Sequence, residues 1–268
     1  MTNDIKIEEG RKLVQEGADP ETLYSRWFHS GEAPGAPWPL PERYYAVIHS
    51  QDRFEPGWTI TDVAKDIPGA VMVARGSVSR MALPLQYRLA QADHLSPERG
   101  EEAVVDALAS APAEGFWHIW SPPWLAETPE DYTRYYFNVR PDKARDWVKA
   151  LVQCAPLAQT WAAKILTGPV DYARHDAAVV YVAQDRGDVP DWVRDLMEAA
   201  QPVCGPEQVP FATPYAPGIA SAPDPGGGLS FGQALCGALY NCGGHARDKA
   251  RFHQEVRSKI AALGGYLE

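Results

Sequence analysis

The sequence predicts an α+β protein with a largely antiparallel sheet and helices packed on it. The first half is rich in β-branched and aromatic runs that are typical of strands, and the second half alternates strand-like with helix-like segments. No predicted strand is followed by a GxGxxG or Walker-type loop, and the Gly226-Gly227-Gly228 run lacks the lysine of a phosphate loop. We therefore disfavour a doubly wound parallel sheet.

The N-terminal segment is predicted to be helical over residues 4–28. Within it, Asp19 is a suitable N-cap, Pro20 fits the first helical position, and Glu21 adds an acid to the first turn. Residues 29–42 contain too many prolines for a regular element, and we interpret them as a linker or a surface arm.

Residues 43–89 have a strand-like pattern, with turns expected at "EPGW" and "DIPG" and strands at "YYAVIH", "GAVMVARG" and "SVSRMALPLQYRL". Ser96-Pro97 has the composition of a helix start. That helix would have an apolar face formed by Ala103, Val104, Ala107 and Leu108. Residues 115–120, "GFWHIW", are predicted to form another strand.

The second half has clearer boundaries. Pro141 is predicted to start a helix whose apolar face comprises Ala144, Trp147, Val148 and Leu151. The predicted strands are "YTRYYFNVR", "QTWAAKILTG" and "AAVVYVAQ", and "VPDWVRDLMEAAQ" is a predicted helix. Residues 205–230 are interpreted as a long loop of functional interest, and residues 231–264 as a helix with a break at "NCGG".

These elements suggest two parts: N-terminal helices and a proline-rich arm over residues 1–42, and a single α+β domain over residues 43–268. The chain has 268 residues, 45% of them hydrophobic, which is enough for a sizeable core. The four cysteines form no CxxC pair and have no histidine at finger-like spacing. We therefore expect free thiols, no metal and no cofactor.

The charge balance restricts the partners. Asp and Glu number 35 against 25 Lys and Arg, a formal charge of −10, which argues against general binding to nucleic acid or to an anionic membrane. No apolar stretch reaches the length of a transmembrane helix. The charged first residues contain no apolar core of a secretion signal, so we expect a cytoplasmic protein.

One segment departs from the acidic average. Between Arg134 and Arg174 there are seven basic side chains against three acidic ones. Tyr136, Asn138 and Arg140 are expected on one strand face, because side chains alternate along a strand, and Lys164 lies within an apolar run of the next strand. The lysine either extends to a sheet edge or belongs to an anion site at the ends of neighbouring strands.

Three stretches together resemble the HopA family, over roughly residues 40–240. They are "RYYFNVRPDKA", "YARHDAAVVYV" and "FATPYAPGIASAPDPGGGLSFG". The last carries the Asp-Pro-(Gly)-Ser-Phe-Gly signature of the family, here Asp224-Pro225 and, after the glycines, Ser230-Phe231-Gly232. That family is named for a bacterial type III effector. It also includes proteins encoded beside kinase-like proteins in pathways for ribosomally made, modified peptides. The signature is followed here by Gln233-Ala234-Leu235-Cys236, where the family pattern has a His-Arg pair.

The strand–helix–strand order also resembles phosphothreonine lyases and the lyase domains of lanthipeptide synthetases. That resemblance implies Lys164 as the base and Arg174, with Arg140 and Arg134, as phosphate ligands. The acid histidine of those enzymes would fall near Tyr136 or Asn138, where no histidine is present. A tyrosine, or one of three histidines elsewhere, is then the candidate acid: His175, His118 or His49. Asp176 would orient Arg174 or His175.

The resemblances imply a phosphoserine or phosphothreonine lyase of phosphothreonine-lyase-like fold. It would act on a precursor peptide together with a kinase-like partner and without a cofactor. The alternative is a non-catalytic effector-like protein or scaffold that binds the peptide and the kinase-like partner. Four tryptophans are candidates for a peptide groove or for the core: Trp58, Trp117, Trp120 and Trp124. Residues 121–132 are predicted to form an exposed loop.

Overall fold

A computed structural model describes residues 3–29, 41–50, 52–91, 96–168, 174–183 and 188–267. The described helices are α1 (Asn3–Gln15), α2 (Pro20–Leu23, continued by a π-helical turn over Tyr24–Phe28), α3 (Pro41–Ile48), α4 (Pro122–Ala126), α5 (Ala144–Cys154), α6 (Asp191–Ala200), α7 (Phe231–Asn241) and α8 (Lys249–Ala262). None of them is long and apolar enough to cross a membrane.

The strands form two antiparallel sheets. The smaller sheet has the order β3-β2-β1-β5-β4 and consists of β1 (Phe54–Val63), β2 (Val71–Arg75), β3 (Val78–Ala82), β4 (Tyr87–Leu89) and β5 (Glu102–Asp106). The larger sheet has the order β11-β12-β8-β10-β9-β7-β6 and consists of β6 (Ala109–Ala113), β7 (Phe116–Trp120), β8 (Thr133–Phe137), β9 (Trp161–Leu166), β10 (Ala178–Val182), β11 (Thr213–Ala216) and β12 (Ile219–Pro223). The predicted α+β class is confirmed.

The larger sheet is covered by helices on both faces. One face packs against α3, α5 and α6, and the other packs against α1, α2, α7 and α8. The predicted apolar face of α5 is confirmed, because its four residues are fully buried: Ala144, Trp147, Val148 and Leu151. The smaller sheet has its own core around Trp58, Ile60 and Val73.

The helical prediction for residues 4–28 is confirmed. The Asp19 side chain accepts a hydrogen bond from the Thr22 backbone N–H at 2.8 Å, and Pro20 occupies the first position of α2. Of the proline-rich arm, residues 30–40 lie outside the described residues.

Two strand and helix predictions in the first half are wrong. The run "YYAVIH" belongs to α3, because Tyr44 and Ile48, four positions apart, are both fully buried on one helix face. The helix predicted after Ser96-Pro97 is replaced by β5 and β6. Ala103 and Val105 alternate inward at the strand period, which buries them in the smaller sheet.

The turn predicted at "EPGW" is also wrong. These residues lie inside β1, where the register shifts between Glu55 and Trp58. Gly57 has φ +84°, a conformation that favours glycine, so the turn-like composition marks a bulge within the strand.

The long loop predicted over residues 205–230 contains the hairpin of β11 and β12. Residues Ile219, Ala220 and Ala222 are buried because β12 pairs along the whole of β8. The predicted helical C-terminus is confirmed with its break, since a 3₁₀ turn over Gly243–His245 separates α7 from α8. The predicted exposed loop over residues 121–132 is partly wrong, because it contains α4 and the buried Trp124.

Candidate functional site

The register of the larger sheet places three candidate side chains on one face. Val179 of β10 pairs with Tyr136 of β8 on one side and with Lys164 of β9 on the other, and Lys164 pairs with His118 of β7. Residues that pair directly point to the same face of a sheet. Tyr136, Lys164 and His118 therefore project toward the layer formed by α1, α2, α7 and α8.

Lys164 lies in an aromatic and cationic environment. Its Nζ is 4.2 Å from the centroid of the Phe116 ring and 5.9 Å from that of Tyr181. Within the described part of the chain, its ammonium has no hydrogen bond and no ion pair. Burial lowers the pKa of Lys164 to about 8; Asp176 acts in the opposite direction, and Arg174 and Arg134 lower the pKa further.

Arg174 lies beside Lys164 and is held by a carboxylate. Its Nε and Nη2 donate to the two carboxylate oxygens of Asp176 at 2.9 and 3.0 Å, and its Cζ is 5.3 Å from the centroid of Phe116. The two cations therefore meet over the same ring. The Asp176 carboxylate therefore holds the Arg174 guanidinium in place through two hydrogen bonds.

His29 also belongs to this cluster, although no local pattern around it pointed to a site. Its Nδ1 is 3.8 Å from Oδ1 of Asp176, and both ring nitrogens are buried without a hydrogen-bond partner among the described residues. Burial lowers the pKa of His29 to about 4, although Asp176 opposes the shift. The end of the first helical segment thus brings the His29 imidazole to Asp176, the carboxylate that also holds Arg174.

Arg134 connects the sheet to residues 224–230, the loop that carries the family signature and is called the signature loop below. It is buried and paired with Asp224, and its Nη2 also donates to the carbonyl of Leu229 at 2.9 Å. Ser230 caps α7 in a capping box with Gln233, and its hydroxyl donates to the Tyr24 hydroxyl at 3.4 Å. In this chain, Gln233 therefore stabilises the start of α7.

Tyr24 and Tyr136 add hydroxyl groups to the cluster. Arg174 donates to the Tyr24 hydroxyl at 3.5 Å. The Tyr136 hydroxyl is buried near the Arg134 guanidinium, which can only donate, and its own proton has no acceptor among the described residues. Burial raises its pKa, so it stays protonated and can donate. A buried donor without an acceptor is a candidate contact for a ligand.

Other predicted site residues lie elsewhere. β8 ends at Phe137, and beyond it Asn138 donates to the carbonyl of Glu207 at 3.0 Å. Arg140 donates to the carbonyl of Pro202 at 3.1 Å. Both side chains hold the segment after α6 and are not placed beside Lys164.

The remaining histidines differ in position. Burial lowers the pKa of His175, whereas the negative charge of Glu207 acts in the opposite direction. His49 lies in a buried network, in which Nδ1 contacts Asp106 at 2.7 Å and Nε2 contacts the Ser110 hydroxyl at 2.8 Å. His118 stacks on Trp120 with 5.6 Å between ring centroids, directly beside Lys164 in the sheet.

Of the four tryptophans, Trp58, Trp117 and Trp124 are buried. Core packing thus accounts for most of them. The four cysteines are free thiols. Among the described residues, no group of three or more His, Cys, Asp or Glu side chains is arranged to hold a metal ion.

The cluster has the composition of an anion site. Three cations, Lys164, Arg174 and Arg134, face two carboxylates, Asp176 and Asp224. The lysine combines a neutral form that is accessible near pH 8 with the lack of a hydrogen-bond or ion-pair partner in the part of the chain that the structure describes. Chemically, this arrangement can bind an anion and accept a proton at one nitrogen.

Solved structures with a similar fold cover nearly the whole chain. One is the effector protein from Pseudomonas syringae pv. tomato strain DC3000, with a TM-score of 0.55, 12% identity, and coverage of 97% of this chain and 92% of the other. Another is the effector protein from Pseudomonas syringae pv. syringae strain 61, with the same TM-score and identity and coverage of 98% and 94%. At this identity the likeness concerns the fold.

No curated protein sequence matches the chain. The model of the HopA1 effector protein family matches residues 119–261, more than half of the chain. The matched region contains Lys164, Arg174 and the signature loop, whereas His29 precedes it. The chain belongs to the HopA1 effector protein family.

Proposed function

We propose that this protein is a phosphoserine/phosphothreonine lyase that eliminates phosphate from a ribosomally made precursor peptide. The observation that carries the proposal is Lys164: an ammonium without a partner among the described residues, whose pKa is lowered to about 8 beside two arginines. A half-buried ammonium without an ion-pair partner among the described residues lowers stability, and its position is accounted for if the neutral amine acts as a base.

In the proposed step, the neutral amine of Lys164 removes the Cα proton of the phosphorylated residue. The electron pair of the Cα–H bond forms a Cα=Cβ double bond, and the Cβ–O bond breaks. Phosphate leaves with that bond pair, and a dehydroamino acid remains. No oxidant or metal is required. The proton taken by Lys164 is later returned to solvent.

Arg174 is suited to neutralise the negative charge of the leaving phosphate. A phosphate dianion at Lys164 would compete with Asp176 for Arg174, whose two-pronged contact with a carboxylate is the geometry that also suits phosphate. The hydroxyl of Tyr136, whose proton has no acceptor among the described residues, is a suitable donor to the peptide carbonyl, where enolate charge develops.

Two imidazoles are candidates for the proton donor to the leaving phosphate. His118 neighbours Lys164 in the sheet, and His29 contacts Asp176 at 3.8 Å. A bound phosphate would raise the pKa of either imidazole, because it adds negative charge. The glutamine variants His118→Gln and His29→Gln distinguish them. The variant of the true donor should lower kcat by roughly 10²–10⁴-fold.

Mass spectrometry of a synthetic phosphothreonine peptide tests the proposal, with loss of phosphoric acid as the readout. Lys164→Met should abolish conversion. Lys6→Met is the matched control, because Lys6 is also partly buried over an aromatic ring, Trp27, and its pKa is also lowered by burial. Unchanged conversion by Lys164→Met would remove this lysine from the mechanism.

The proposal includes a kinase-like partner that phosphorylates the precursor peptide, as the family resemblance implies. Co-expression followed by size-exclusion chromatography tests for a complex. A stable complex should bury more than about 1,000 Å². Separate elution at micromolar concentration, with full activity of the chain alone, would show that no complex is needed.

One observation favours the alternative of a non-catalytic peptide-binding scaffold. Both arginines of the cluster are already paired with carboxylates, Arg174 with Asp176 and Arg134 with Asp224. If neither the chain alone nor its mixture with the kinase-like protein eliminates phosphate, yet phosphopeptide binds, the scaffold function replaces the lyase.

A further inference from the structure

A cavity of about 280 Å³ lies between the smaller sheet and α4. Its walls are apolar at α4 and charged at the sheet. They are formed by Glu55, Trp58, Arg75, Val78, Arg80, Ala107, Pro122, Pro123, Leu125 and Ala126. Its size suits a small ligand or one or two side chains of a larger one.

Arg80 is the unusual residue of this cavity. It is 8% exposed, and its Nη2 donates to the backbone carbonyl of Asp106. Its Nε and Nη1 are buried and have no hydrogen-bond partner among the described residues. One bond thus fixes the guanidinium in place and leaves two of its three nitrogens without an acceptor. Such buried donors are rare and call for an explanation.

The ring of Trp58 connects two guanidinium groups. The Cζ of Arg75 is 4.7 Å from its centroid, and the Cζ of Arg80 is 5.2 Å from it. The indole N–H of Trp58 is also buried without a partner within the described chain. Trp58 and Arg80, two residues that line the cavity, therefore carry buried donors for which the described chain supplies no acceptor.

The carboxylates nearby do not satisfy these donors. Glu55 is paired with Arg75. The Asp106 carboxylate accepts from the Leu108 backbone N–H at 3.0 Å and contacts His49 and Arg53. Its side chain is thus engaged away from Nε and Nη1 of Arg80.

We infer that this cavity binds a carboxylate carried on an apolar or aromatic group. The carboxylate would accept from the free guanidinium edge, in the two-bond geometry that arginine favours. The apolar group would lie between Trp58 and the proline-rich wall of α4. The carboxylate could come from a free organic acid or from a glutamate or aspartate flanked by apolar residues in a peptide.

The inference is independent of the proposed lyase activity, because the cavity shares no lining residue with the Lys164 cluster. The two sites adjoin the same short helix. Trp124 of α4 contacts Tyr181, the ring beside Lys164, while Pro123 and Leu125 line the cavity.

Isothermal titration calorimetry with three probes tests the inference on the full chain. The probes are phenylacetate, its uncharged analogue phenylacetamide, and the capped peptide acetyl-Phe-Glu-Leu-amide. At least one carboxylate probe should bind, and phenylacetate should bind at least tenfold more tightly than phenylacetamide if the source is a free acid. Binding of the peptide alone assigns the site to a peptide segment. Absence of binding by both carboxylates at about 10 mM overturns the inference.

Arg80→Gln should weaken binding at least tenfold, because it removes the charge and the two free donors. Arg88→Gln is the control: this arginine is in the same sheet, also stacks on a ring (Phe54, 3.9 Å), and is exposed. Equal loss in both variants would overturn the assignment to Arg80. If Arg80→Gln does not fold, the comparison of phenylacetate with phenylacetamide on the wild-type protein still decides.

Discussion

Replacement of Lys164 by methionine should make the protein more stable at neutral pH, although it removes the proposed base. Methionine has a similar length and keeps the contact with Phe116, but it carries no charge into the sheet face. The pKa of Lys164 falls from the ordinary 10.5 to about 8 on folding. A shift of this size corresponds to about 3 kcal/mol against folding while the amine is protonated. Two effects oppose this cost: the ammonium interacts favourably with the Phe116 ring, and Lys164 is still partly exposed. We therefore expect Lys164→Met to gain about 1–3 kcal/mol in the free energy of unfolding.

The pH dependence follows from the direction of the shift. Below about pH 8 both the folded and the unfolded chain hold the proton, so the full cost is present in the wild type. Between pH 8 and 10.5 the folded protein loses the Lys164 proton before the unfolded chain does. The free-energy cost of burying the ammonium therefore decreases over this range. The stability difference between Lys164→Met and wild type should therefore be largest below pH 8 and vanish above about 10.5.

Urea unfolding of both proteins at pH 7 and near pH 10 measures this difference. Lys149→Met, an exposed lysine on α5, is the control and should change the free energy of unfolding by no more than about 0.5 kcal/mol. If Lys164→Met is less stable than wild type by the same amount at both pH values, Lys164 has a stabilising partner, and the reasoning that makes it a base is refuted.

Three further substitutions test how the fold positions the cluster. Gly232→Ala would place a methyl group 2.4 Å from the ring of Phe28, so we expect a loss of about 1–3 kcal/mol in urea unfolding, and an unchanged midpoint would contradict the packing of α7 on the N-terminal segment. Asp224→Asn should cost about 3 kcal/mol, because it leaves the buried guanidinium of Arg134 without its anion, whereas the double variant with Arg134→Met should recover part of that loss in the same assay; additive losses would argue against the pair. Trp147→Ala should lower the free energy of unfolding by about 3–5 kcal/mol, since the ring is fully buried, and a smaller loss would show that the surrounding core collapses into the space.

Local sequence patterns were sufficient to predict features of the structure where one interaction dominates. The face of α5 was predictable because four apolar residues at helical spacing have a single way to be buried together. Lys164 was selected from sequence for a similar reason: a lysine within an apolar strand is costly wherever the strand lies. The helix predicted over residues 231–264 is present, but its packing against Phe28 of the N-terminal segment could not be predicted.

Local patterns failed where two structures have similar local preferences. The aromatic and β-branched residues of "YYAVIH" favour strands by a fraction of a kcal/mol each. Burial of Tyr44 and Ile48 on one helix face outweighs that preference in α3. The alanines of β12 were predicted to lie in a loop, but they are buried in the sheet. Their strand is stabilised by backbone hydrogen bonds to β8, and this pairing cannot be predicted from the local sequence.

The amino-acid sequence alone was enough to locate a basic segment, a lysine within an apolar strand and Arg174 ten residues after it. The groups that surround this lysine became known only from the folded structure. His29 reaches the cluster from a helix 135 positions upstream of Lys164, and Asn138 and Arg140 leave it because β8 ends at Phe137. Contacts between residues so distant in sequence form only when packed layers close the chain on itself, and no local propensity encodes them.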